Sequence, residues 1–138
     1  MVIVVVLLAG MSSTAHADNV RARDRMRTLL NQIRRNHGLP LFRLNGELSH
    51  TAYLHSKRMV ERNQIFHSTD LYRKVQSYSP STWGENVGMA DFLKRVRTLW
   101  MRSPGHRANI LKARFRRIGI GVVKARGRVW VTTIFYGG

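Results

Sequence analysis

Apolar and polar positions recur with two different periods along this chain, and the change of period divides it. Met26, Leu29, Leu30 and Ile33 return every three or four residues, which places them on one stripe of a helix. Asp18 is positioned to cap that helix, and Gly38 and Pro40 are stop signals after about Asn36. Leu39-Pro40-Leu41-Phe42 is an extended apolar connector. Asn45 caps a second helix, with Glu47 in the first turn, where the helix dipole favours an acid. Leu48, Ala52, His55 and Met59 form its buried face, so His55 reads as a satisfied core histidine rather than a ligand. From Arg62 to Thr82 the period is lost, apart from one helical turn at Leu71–Val75. Irregular segments of this length in a compact domain are functional or mobile. His67 stands near its start, behind Phe66 as an anchor.

The second half is more regular. Trp83 to Met89, flanked by glycines, reads as a strand, with Trp83 and Trp100 as core residues. Asp91 is expected to cap a third helix through about Met101, with Phe92, Val96, Leu99 and Trp100 as its inner face. Pro104 ends that helix. Arg107 to Leu111 adds a turn or two, with Ser103 and Asn109 capping the short helix. Ile118, Ile120 and Val122 then alternate with Gly119 and Gly121, and Val129, Val131 and Thr133 alternate with Trp130 and Thr132. Lys124 to Arg128 is the hairpin loop between these two strands. Helices plus a small antiparallel sheet, without repeats or linkers, predict one α+β domain.

Composition changes this picture in three ways. The 24 Lys and Arg against 7 Asp and Glu give a formal charge of +17, a field that attracts polyanions. Nineteen of the cations are arginines, suited to bidentate phosphate or carboxylate contacts, although a GC-rich codon bias would produce the same excess. The apolar run Val2 to Leu8, followed by Ala15-His16-Ala17, reads as an export signal over residues 1–17. That run is too short to span a bilayer, which takes about 20 apolar residues, and no basic residue precedes it. Residues 18–138 would then be the mature domain. With no cysteine, disulfide frameworks and thiol chemistry are both excluded.

The chemistry-bearing residues fall in order. They are Ala52-x-x-His55-Ser56-x-x-Met59, Phe66-His67, Gly84-Glu85-Asn86-Val87, Trp100-x-x-Ser103-Pro104-x-His106-x-x-Asn109-Ile110-Leu111, and Ile118-Gly119-Ile120-Gly121. In this order and spacing they closely resemble the CAP superfamily (cysteine-rich secretory proteins, antigen 5 and pathogenesis-related proteins), in its cysteine-free, bacterial, SCP-like extracellular branch. The resemblance covers about Met26 to Phe135. It implies a three-layer α-β-α sandwich with a small antiparallel sheet and an open cleft. By motif position the cleft histidines fall on His67 and His106 and the first glutamate on Glu85. The second glutamate falls on Ser103, which leaves one carboxylate in the cleft.

Two converging imidazoles, His67 and His106, can hold a divalent cation such as zinc and leave positions open for water or ligand. Glu85 can serve as a third ligand, orient an imidazole through its second nitrogen, or act as a base on a bound water. Equally, the three side chains can form a polar cluster that ties loop to sheet to helix. Paired carboxylates are what separate acid from base roles, so the single acid argues against catalysis. The expected protein is a secreted, monomeric binding module. Its cleft of His67, Glu85, Ser103 and His106 would take a cation or small ligand. Its basic surface would dock on anionic envelope polymers or lipid head groups, and on nucleic acid only non-specifically. A metal-assisted extracellular hydrolase acting on cell-wall peptide, and sterol or lipid carriage, are the alternatives.

Overall fold

The computed structural model describes residues 6–138, with side chains from Ser13 onward. The first part of the apolar run Val2 to Leu8 lies outside the described residues. The elements are α1 (Val6–Asn36), β1 (Arg43–Leu44), α2 (Gly46–Glu61), α3 (Leu71–Val75), β2 (Thr82–Ala90), α4 (Leu93–Arg102), α5 (Pro104–Leu111), β3 (Arg117–Ala125) and β4 (Arg128–Gly137). A single 3₁₀ turn, Gln76–Tyr78, follows α3. Among the described residues no helix is long and apolar enough to cross a membrane.

The four strands form one sheet in the order β1-β3-β4-β2. It is antiparallel except for the two-residue β1, which runs parallel to β3 through Arg43 and Leu44. β3 and β4 form the expected hairpin, its turn reduced to Arg126 and Gly127, both at positive φ. Strand pairing sorts side chains onto two faces. Ile118, Ile120, Val122, Val131 and Phe135 point to one side and pack with Met26, Leu30, Val96, Trp100 and Ile110 of α1, α4 and α5. Each fully buried aliphatic side chain there contributes about 1.5–3 kcal/mol.

The opposite face carries Gly119 and Gly121, and these set how closely α2 lies. A β-carbon on Gly121 would overlap the backbone of Ala52 and Tyr53, and one on Gly119 would sit 2.6 Å from the carbonyl carbon of Leu48. The Ser56 hydroxyl seals the contact by donating to Gly121 O at 3.1 Å. Ile134 and Trp130 fill the rest of this face against Leu48, Ala52, Val75 and Met59. The result is the three-layer sandwich: α2 and α3, then the sheet, then α1, α4 and α5.

Asn45 caps α2 as expected, accepting from Leu48 N at 3.0 Å. Three local expectations are corrected. Asp18 caps nothing, because α1 runs unbroken through it from Val6; no glycine or proline stands between Ser13 and Asn36 to stop propagation. Asp91 is not the cap of α4 either. Phe92 holds the N-cap position in extended backbone, with no side-chain cap bond. Lying outside the helix, Phe92 leaves the helical period and is 54% exposed, and Leu99 is 45% exposed. The inner face is instead Leu93, Val96 and Trp100. Trp83 is the third correction: it is 40% exposed and packs against Tyr72, ring centroids 4.8 Å apart.

One arginine is structural. Arg34 is fully buried at the end of α1. Its guanidinium donates to the carbonyls of Pro40 (2.7 Å), Ile110 (3.0 Å), Lys112 (2.8 Å) and Phe115 (2.8 Å). Burial, and then the nearby charge of Arg116, lower its pKa to about 10. It locks α1 to the loop that delivers β3.

Candidate ligand cleft at the free edge of the sheet

β2 is an edge strand, hydrogen-bonded only to β4 among the described residues. Unpaired edge groups need other partners, and two residues of the Trp100–Leu111 motif supply them. Trp100 Nε1 donates to Val87 O at 3.0 Å, and Asn109 Nδ2 donates to Glu85 O at 3.3 Å. Gly88 makes room, since a β-carbon there would lie 2.8 Å from Trp100 Nε1. Asn109 also donates to Asn86 Oδ1 at 2.9 Å, and Asn86 Nδ2 donates to His106 O at 3.1 Å. Asn109 is therefore a strand-edge clasp rather than the helix cap expected of it.

Glu85 faces the α2 layer, and its side chain is 2% exposed. Its carboxylate is fully engaged. Oε1 accepts from His67 Nδ1 at 2.8 Å and from Ser68 N at 2.9 Å, while Oε2 accepts from Ser68 Oγ at 2.6 Å. Because the carboxylate accepts, His67 carries a proton on Nδ1, and Nε2 is the ring nitrogen without an internal partner among the described residues. The ring itself is 60% exposed. Lys74 Nζ donates to Ser68 Oγ at 2.7 Å. His55 lies beneath, buried, donating through Nε2 to Phe66 O at 2.7 Å. Desolvation lowers the pKa of His55, partly offset by the Phe66 carbonyl and by Glu85. It is a core histidine that anchors the loop carrying His67.

His106 approaches from the α5 layer. Its Nδ1 meets Ser103 Oγ at 2.8 Å, and its ring stacks over Trp100 with centroids 6.2 Å apart. Ser103 does occupy the N-cap position of α5, but its hydroxyl makes no cap bond and is spent on His106. Burial lowers the pKa of His106, and the charge of His67 acts in the same direction. His67 and His106 open into separate hollows, one of 380 Å³ at His67 and one of 190 Å³ at Ser103 and His106.

The structure bonds His67 to Glu85 and His106 to Ser103, and clasps the two pairs together through Asn86 and Asn109. Among the described residues no three His, Cys, Asp or Glu side chains form a group able to hold a metal ion. Sequence reasoning did not single out Ser68 or Lys74, and it gave Asn86 a place in the Gly84-Glu85-Asn86-Val87 motif but no role. Adjacency to His67 is a usable signal for Ser68, but nothing local marks Lys74.

This cleft and fold define a class. A family description, CAP, the cysteine-rich secretory protein family, matches residues 27–135, and the chain belongs to that family. It is 33% identical over 109 residues to the uncharacterized protein YkwD of Bacillus subtilis, a match covering 74% of this chain and 42% of that protein. An extracellular SCP-domain protein of Bacillus anthracis superposes with a TM-score of 0.72 at 27% identity, over 87% of this chain and 41% of the other. An outer surface protein of Borrelia burgdorferi shares the fold, with a TM-score of 0.73 at 17% identity, over 85% of this chain and 92% of the other. The chain thus spans less than half the length of the two Bacillus proteins it matches.

Proposed function

We infer that the protein is an extracellular binding module whose cleft takes up a divalent cation, such as zinc, between His67 and His106. The carrying observation is that both rings tie Nδ1 to an internal partner, leaving both Nε2 atoms for a ligand. A two-imidazole set gives weak, reversible binding with positions open for water or a small molecule. Bound there, the cation would supply Lewis acidity. Glu85 and Ser103 would act behind it by holding the rings. Hydrolysis is the weaker reading, because the cleft offers one carboxylate, Glu85, and it is buried and already accepts three hydrogen bonds from His67 and Ser68. Residues 1–17 serve as the export signal in this reading. The formal charge of +17 brings the domain to anionic envelope polymers or lipid head groups.

Thermal unfolding with saturating zinc tests it. Wild-type protein should melt higher, by an increment that grows with the zinc concentration, and His67→Ala/His106→Ala should abolish the increment. An unchanged melting temperature in the wild type would remove the cation from this account.

A further inference from the structure

His55 and Arg58 follow one another at helical spacing on α2, Arg62 continues that spacing at the C-cap, and that face meets the segment Phe66 to Asp70. With Lys74 they line the 380 Å³ cavity into which His67 opens. The cations in this cavity are not offset by the fold. Arg58 and Arg62 stand one turn apart, an arrangement in which like charges repel. Arg58 is half-buried, yet among the described residues neither guanidinium has a carboxylate partner or donates a hydrogen bond. Arg62 lies only over the Phe66 ring, 4.8 Å from its centroid. Arg34 shows the contrast, with a structural arginine saturated by four carbonyls. Lys74 adds a third cation, its side chain only 11% exposed.

Asp70 is the acid on the cavity wall; it lies 3.7 Å from Lys74 Nζ and is 54% exposed. Glu85 lies behind His67 and Ser68 and is committed to them. The cavity therefore holds more positive charge than its own carboxylates neutralise. Its unused donors are two forked guanidiniums, with a third cation at the rear.

We propose that this cavity is an oxyanion subsite, which takes the phosphoryl group of a phosphate ester whose remainder passes over His67. A tetrahedral phosphate offers three oxygens to Arg58, Arg62 and Lys74, with the Thr69 hydroxyl on the same wall. A carboxylate has only two oxygens to share among three cations. The subsite rests on the reading of His67 as part of a ligand cleft, and it specifies the chemistry of that ligand as anionic.

Isothermal titration of the full chain with inorganic phosphate, glycerol 3-phosphate and acetate, at fixed ionic strength and without zinc, tests the subsite. Both phosphates should bind, and acetate should bind at least tenfold more weakly. Arg58→Gln and Arg62→Gln should each weaken phosphate binding about tenfold. Arg95→Gln, on the distant α4, should leave it unchanged and so separates a built site from the general field of a basic protein. His67→Ala should weaken glycerol 3-phosphate more than inorganic phosphate. Equal loss in all three arginine variants, no loss in Arg58→Gln and Arg62→Gln, or acetate binding as tightly as phosphate would overturn the proposal. The zinc-dependent melting shift of Arg58→Gln/Arg62→Gln, which should match wild type, shows that the variant is folded. It also separates failure of the subsite from failure of the cation site.

Discussion

The two imidazoles of the cleft are held in opposite ways. His67 projects from an irregular loop, yet it is fixed by the buried carboxylate of an edge strand, which dictates its tautomer. His106 sits on a regular helix, half-buried over Trp100, but its partner is a hydroxyl. Ser103 Oγ can donate or accept, so it does not dictate which ring nitrogen carries the proton. The loop histidine is thus the better specified of the two. Order at this site comes from hydrogen-bond partners more than from the secondary structure on which a residue happens to lie.

Substitution of Glu85 has the largest expected effect. Glu85→Ala would leave Ser68 N, Ser68 Oγ and His67 without their acceptor at a buried position, and should cost about 3 kcal/mol in urea unfolding. A loss below about 1 kcal/mol would mean that the carboxylate does not organise the loop. Ser103→Glu should make the two halves alike. A second acid beside His106 is expected to tighten zinc binding about tenfold, equivalent to about 1.4 kcal/mol, as read by titration calorimetry. Ser103→Ala removes only a hydroxyl contact to a half-buried ring and should cost no more than about 1 kcal/mol. It should do so without loosening His67, whose NMR signals should keep their wild-type shifts.

The smallest effect is in pH dependence. Burial holds the pKa values of His55 and His106 below the ordinary 6.5, so the unfolded chain takes up protons first as the pH falls. The stability tied to the neutral rings is complete above about pH 6.5 and declines as the pH drops from there toward the folded values. His106→Gln should flatten part of that decline in urea titrations between pH 7 and 5, leaving the share of His55. An unchanged slope would mean that His106 is not desolvated.

Much of this molecule is legible in its sequence where a single period governs it. The β3–β4 hairpin follows from strict alternation, α2 from Asn45 and a clean apolar stripe, and the family from motifs in register. Legibility fails where a residue leaves its element or is partnered across space. Phe92 looked like the first inner residue of α4, but one position outside the helix the period no longer applies. Trp83 alternates like a core residue, yet it lies at one end of an edge strand, where it packs against Tyr72 and stays 40% exposed. Arg34 follows Leu30 by four residues, so its burial was visible in the spacing, although its four carbonyl partners lie on three later segments. At the cleft, His67, Glu85, Ser103 and His106 are marked by motif position. That Ser103 serves His106 rather than the helix end is a matter of hydroxyl direction, which sequence does not carry.

In the proposed function, His67 and His106 act on one ligand around the edge of β2. A double-mutant cycle on the zinc dissociation constant, measured with wild type, His67→Ala, His106→Ala and the double variant, addresses it directly. If both rings hold one ion, each single substitution should weaken binding at least tenfold, and the double variant should lose far less than the sum of the two in free energy. Additive losses, or a single substitution that leaves the affinity unchanged, would show two independent imidazoles and contradict the shared cleft.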